Sequence, residues 1–91
     1  MKSILQDSKI CWVCGNPHTT CHHVFEGTHH RKLSEKYGLK VYLCDRHHLV
    51  SKECVHQNPQ LEAILKQYAQ KKFEETHSRE EFIKIFKRNY L

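Results

Sequence analysis

Four side chains with metal-ligand spacing constrain this chain more than any other feature: Cys11-x-x-Cys14, then, 29 intervening residues later, Cys44-x-x-His47. A two-residue gap lets one tight turn supply two ligands, and two such turns close a tetrahedral zinc site. A second pair ending in His is much stronger than a lone C-x-x-C. The chain has 91 residues and is only 38% hydrophobic, near the size at which one apolar core is marginal unaided. A structural zinc on Cys11, Cys14, Cys44 and His47 is therefore expected to supply folding energy that the core lacks. Cys21, Cys54 and His56 offer competing ligand sets. Cys21 and Cys54 also fit the role of small, partly buried hydrophobes.

Five cysteines are an odd number, and residues 1–10 lack the apolar core of a signal peptide. That usage favours metal over disulfides and a reducing, cytoplasmic location. No stretch approaches the ~20 apolar residues of a membrane span. Lys and Arg outnumber Asp and Glu by 15 to 10, giving a formal charge of +5 and a pI near 9.0. Such a balance suits a polyanionic partner, DNA or RNA.

The sequence divides into two unlike parts within a single domain. Ser3-Ile4-Leu5 is a candidate strand, and Cys11 to Pro17 reads as a knuckle in which Gly15 and Asn16 tolerate positive φ. Thr19 to Phe25 and Leu39 to Leu43 read as strands, separated by a helix from His30 to Tyr37 that Gly38 closes. Asp45 is placed to cap a helix running from the second His pair toward Lys52. In residues 58–91, Asn58-Pro59 starts a helix with an apolar stripe of Leu61, Ile64, Leu65, Tyr68, Ala69 and Phe73. A capping box, Ser78 to Glu81, opens a last helix carrying Phe82, Ile83, Ile85, Phe86 and Tyr90. These helices either wrap back over the metal core or pair with a second copy.

Eight of the nine histidines lie between His18 and His56, more than a structural ion needs. His22 and His23 are adjacent in the first strand, so their side chains leave opposite faces. His48 follows the zinc ligand His47 and is turned by about 100° from it on the helix. One of the first pair can then share a cation with His48 while the other accepts a proton. That is a hydrolase arrangement: a divalent ion to stabilise a phosphorane, an imidazole to deprotonate water.

The order C-x-x-C, His22-His23-Val24, a loop, then Val41-Tyr42-Leu43-Cys44-x-x-His47-His48 resembles the zinc-containing HNH endonucleases of the ββα-metal class. The similarity covers residues 11–56, and Arg31 to Gly38 is similar to small HNH proteins of phages and prophages. The resemblance implies an α+β fold: a ββα-metal finger with a zinc knuckle and two C-terminal helices. It implies His23 as general base, His22 and His48 as ligands of Mg²⁺ or another divalent ion, and the quartet on structural zinc. The family's middle Asn lies in the loop between the strands, whereas this chain has Asn only at 16, 58 and 89. His30 is best placed to substitute, with His29 next. A third ligand would come from His56, water or phosphate, since Lys52 stands one turn after His48.

Arg31, Lys32, Lys36 and Lys40, with Arg46 and Lys52 beyond, are expected to hold phosphates beside the cut. No set of side chains suits base-specific reading. The sequence thus points to an endonuclease of bacterial or phage-infected cytoplasm, acting on double-stranded DNA with little base specificity. A zinc-stabilised binding or adaptor module is the alternative.

Overall fold

In the computed structural model, which describes residues 2–50 and 58–91, the chain is a small α+β domain. Its elements run β1 (Thr20–His23), α1 (Thr28–Tyr37), β2 (Lys40–Leu43), a single π turn (Arg46–Val50), α2 (Pro59–Phe73) and α3 (Arg79–Phe86). The two strands pair antiparallel with Thr20 opposite Leu43, Cys21 opposite Tyr42, His22 opposite Val41 and His23 opposite Lys40. This register sets both histidines of β1 against the short strand that leads into Cys44.

Local chemistry accounts for the element ends. Gly38, at φ 71°, closes α1 in the left-handed conformation, and a Cβ there would stand 2.5 Å from the Lys2 carbonyl oxygen. Asn58 caps α2 by accepting from the Leu61 amide at 3.1 Å, with Pro59 at the first helical position. Ser78 and Glu81 form the expected capping box on α3. Lys87 ends that helix at φ 63°, so Tyr90 lies beyond α3 and not on it. The left-handed turn sends the tail back over the core, where Tyr90 packs 5.3 Å from the Phe25 ring.

The lead-in does not form the expected strand over Ser3-Ile4-Leu5. It covers the outer edge of β2 by other means. The Tyr42 amide donates to the Gln6 side-chain oxygen at 2.7 Å, and the Tyr42 carbonyl accepts from the Trp12 amide at 2.8 Å. Ser3 donates its hydroxyl to the Lys40 carbonyl, and the Ile4 amide donates to the Gly38 carbonyl at 2.9 Å. An edge strand needs these groups satisfied, and a side chain plus a knuckle amide do it here.

The core joins the two parts of the sequence. Val24 and Phe25, directly after His23, are fully buried with Leu39, Val41 and Leu43 against Leu65, Ala69 and Phe73 of α2 and Phe82 and Phe86 of α3. Phe25 contacts Phe82 and Phe86 at ring-centroid distances of 5.4 and 4.6 Å. Of the two arrangements expected for the C-terminal helices, wrapping back is the one observed. Ile64 and Ile83 stay exposed because each lies outside its helix's buried face. Two buried polar groups are satisfied. Ser34 exchanges hydrogen bonds with both backbone groups of Phe25. Gln70 donates to Glu74 and Asn89 and accepts from the Tyr90 amide.

Phe86→Ala is expected to destabilise the fold by about 3–5 kcal/mol, since it opens a cavity where both parts of the chain meet. Urea unfolding of the zinc-loaded protein measures this.

Candidate metal centre and histidine cleft

Two turns bring the quartet together. In the first, the Gly15 amide donates to the Cys11 carbonyl at 2.9 Å and the Cys11 amide to the Asn16 carbonyl at 2.8 Å, with Gly15 at φ 78°. Asn16 keeps a negative φ, so only the glycine of the expected pair takes the left-handed position. In the second, the Cys44 carbonyl accepts from the amides of His47 and His48. Asp45 opens the π turn beside it, and the chain after Val50 leaves the described residues.

The ligand atoms of Cys11, Cys14, Cys44 and His47 all lie within 4.8 Å of one another. Cys11 Sγ is 3.7 Å from His47 Nδ1, Cys14 Sγ is 3.6 Å from Cys44 Sγ, and Cys44 Sγ is 3.2 Å from His47 Nδ1. Around tetrahedral zinc, with bonds of about 2.3 Å to sulfur and 2.0 Å to nitrogen, such atoms stand roughly 3.5–3.8 Å apart. The cluster is thus built to the size of a metal such as zinc. Burial opposes ionisation of Cys11, but the backbone amides of Cys44, Cys14 and Val13 outweigh it and bring that thiol down to about 6. The Asn16 amide favours the Cys14 thiolate, yet desolvation and the neighbouring Cys11 and Cys44 sulfurs push this thiol up. The thiolate is the metal-ligating form of cysteine, and a dication held between the sulfurs favours it. Cys21 stands outside the cluster, on β1.

The remaining histidines of the two pairs take opposite faces of β1. His22 is buried, with its ring 5.2 Å from that of His48 in an edge-on arrangement. Thr20, two residues earlier on the same face, shares a 2.7 Å hydrogen bond with His48 Nδ1. Among the described residues no third His, Cys, Asp or Glu joins His22 and His48 in a close ligand group. On the other face, His23 Nε2 lies 3.1 Å from Glu35 Oε1, while Glu35 Oε2 accepts from Lys40 Nζ at 2.6 Å. The bonds from Lys40 and then from His23 hold the Glu35 carboxyl down to about 2. A cleft of about 290 Å³ opens between the faces, lined by Cys21, His22, His23, Glu26, Arg31 and His48, together with Gly27. A wider groove adjoins it, where His23 and Glu35 meet Arg31 and Lys32 at the start of α1.

Four expected positions fall elsewhere. His30 turns its ring toward Phe86 of α3, 5.6 Å away, and does not line the cleft. The helix that carries it begins at Thr28, which rotates His30 to the core side. Lys40 is buried and paired with Glu35, so its charge is committed inside the protein and not offered to phosphate. Lys36 lies 5.4 Å from the ring of Tyr37 and away from both grooves, while Arg46 is exposed on the π turn. Lys52, Cys54 and His56 lie outside the described residues. Glu35 and Thr20 escaped the sequence reading, because a Glu in a helix and a Thr in a strand are ordinary there.

No family model matches this chain, nor does any curated protein or solved structure. Among the described residues, no helix is long and apolar enough to cross a membrane.

Two outcomes are expected. Elemental analysis should find one zinc per folded chain, and Cys44→Ser should lose the metal and lower the melting temperature. The Glu35 carboxyl titrates near 2 in the fold against an ordinary 4.5, so its ionised form adds stability above pH 4.5 that is lost as pH falls toward 2. The difference in unfolding midpoint between the parent and Glu35→Gln should therefore shrink across that window.

Proposed function

We propose that this protein is a metal-dependent endonuclease of the HNH type that hydrolyses DNA phosphodiester bonds. One observation carries the reading: His22 and His48 lie edge-on at 5.2 Å on one face of β1, His23 leaves by the other, and all three line one cleft with Arg31. Structural zinc needs none of these three imidazoles. The two-imidazole donor set suits a transition ion such as Mn²⁺, Ni²⁺ or Zn²⁺ better than Mg²⁺, which prefers oxygen. When bound, such an ion supplies charge stabilisation for the pentacoordinate phosphorane and the leaving oxygen.

The chain's own residues do the rest. His23 takes a proton from water, whose oxygen bonds to phosphorus as the bond to the leaving sugar oxygen breaks. That oxygen collects a proton from solvent. Arg31 at the cleft and Lys32 in the adjoining groove bind the flanking phosphates, with Arg46 at the far end of β2. None of them is presented to read base edges, so cleavage follows DNA context or shape.

A zinc-stabilised DNA-binding module without hydrolysis is the second reading. It draws support from the absence of a third close ligand for His22 and His48 among the described residues. Nicking of supercoiled plasmid with Mn²⁺, Ni²⁺ or Mg²⁺ separates the two. His23→Ala is expected to bind plasmid and cation yet nick about 10²- to 10⁴-fold more slowly. His22→Ala should lose cation binding as well. A parent inactive with all three ions, or His23→Ala nicking as fast as the parent, leaves the binding module in place.

A further inference from the structure

The face of β1 opposite His22 carries a constellation that neither the zinc site nor the paired imidazoles require. His23 and Lys40 are cross-strand partners in the register of β1 and β2, and Glu35 reaches both from the last turns of α1. The two carboxylate oxygens serve different groups: Oε1 faces His23 Nε2 at 3.1 Å, and Oε2 faces Lys40 Nζ at 2.6 Å. Three elements therefore converge on one imidazole, and packing limits the freedom of each. Ser34, the residue before Glu35, is fully buried and bonded to both backbone groups of Phe25. Leu39 and Val41 flank Lys40 and are fully buried too. Glu35 itself is half-exposed, but the helix residue before it and the strand residues on either side of Lys40 are fixed in the core.

The chemistry of the pair fixes the hydrogen. An ionised carboxylate only accepts, so the ring nitrogen facing it must carry the proton. We propose that Glu35 is the positioning residue of the site: it holds His23 as the Nε2–H tautomer and leaves Nδ1 as the atom that takes the proton from water. Lys40 in turn fixes the carboxylate, spending its charge on Glu35 Oε2. The assignment rests on the nuclease reading of His23 and names the atom through which that reading works. When Nδ1 accepts its proton the ring becomes cationic with Glu35 already beside it, so the proton transfer needs no rearrangement of the pair. The arrangement also assigns the orienting role to a residue on α1, leaving His30 to its contact with Phe86.

Removing Glu35 alone strands the buried Lys40, so the test compares Lys40→Met with the double variant Glu35→Gln/Lys40→Met, both loaded with zinc. Plasmid nicking by the double variant is expected to show kcat roughly ten- to a hundredfold below that of Lys40→Met, with KM for plasmid the same within about twofold. Nitrogen-15 spectra of histidine-labelled protein, with His23 assigned by its loss in His23→Ala, should show the Nε2–H tautomer in the parent and a mixture in the double variant. An Nδ1–H tautomer in the parent overturns the proposal without reference to any variant. Equal kcat in the two variants, with the parent active, overturns it while sparing the nuclease reading. A parent that does not nick at all removes both.

Discussion

Closure of the Cys11-Cys14 knuckle onto Cys44 and His47 is the constraint on which the site depends. It fixes the residues just before β1 to those just after β2, so the strand pair is tied at the end where His48 emerges. The Trp12 amide, one residue past the first ligand, bonds the Tyr42 carbonyl two residues before the third. Metal ligation and edge pairing therefore reinforce each other. Backbone amides favour the Cys11 thiolate while neighbouring sulfurs disfavour that of Cys14, and the four ligand atoms lie close enough for one metal ion such as zinc to bridge them.

Strand alternation then divides labour between the histidines. Because β1 is only four residues long, Thr20 and His22 share one face and Cys21 and His23 the other. The first face meets His48 across from the knuckle; the second meets Glu35 and Lys40. His22 and His23 are adjacent in sequence and are still served by separate surroundings. A single four-residue strand suffices for this because its neighbours differ so sharply in charge.

Much of this was legible in the residues, for reasons that differ by feature. The quartet, the Gly38 cap, Asn58-Pro59 and the Ser78–Glu81 box depend on spacing within a turn, which sequence carries directly. The alternation of His22 and His23 is equally local. What escaped depends on distant parts of the chain: Glu35 reaching back to His23, Gln6 reaching Tyr42, and His30 rotated toward an aromatic ring more than fifty residues away. Lys40 misled for a related reason. A lysine between two apolar residues of a short strand reads as solvent-facing, and only the placement of α1 shows that a carboxylate covers it.

Val24 and Phe25 follow the histidine pair without a break, and they are the residues onto which α2 and α3 pack. The backbone that carries His22 and His23 is thus clamped from behind by side chains at the far end of the sequence. A border drawn in the stretch between residues 50 and 58 would look natural on a map of motifs, yet it would cut through the aromatic core. The half that carries the metal cluster and the histidine pairs is not a portable cassette: grafted elsewhere without Phe73, Phe82 and Phe86, it would arrive without the wall against which its strand is set.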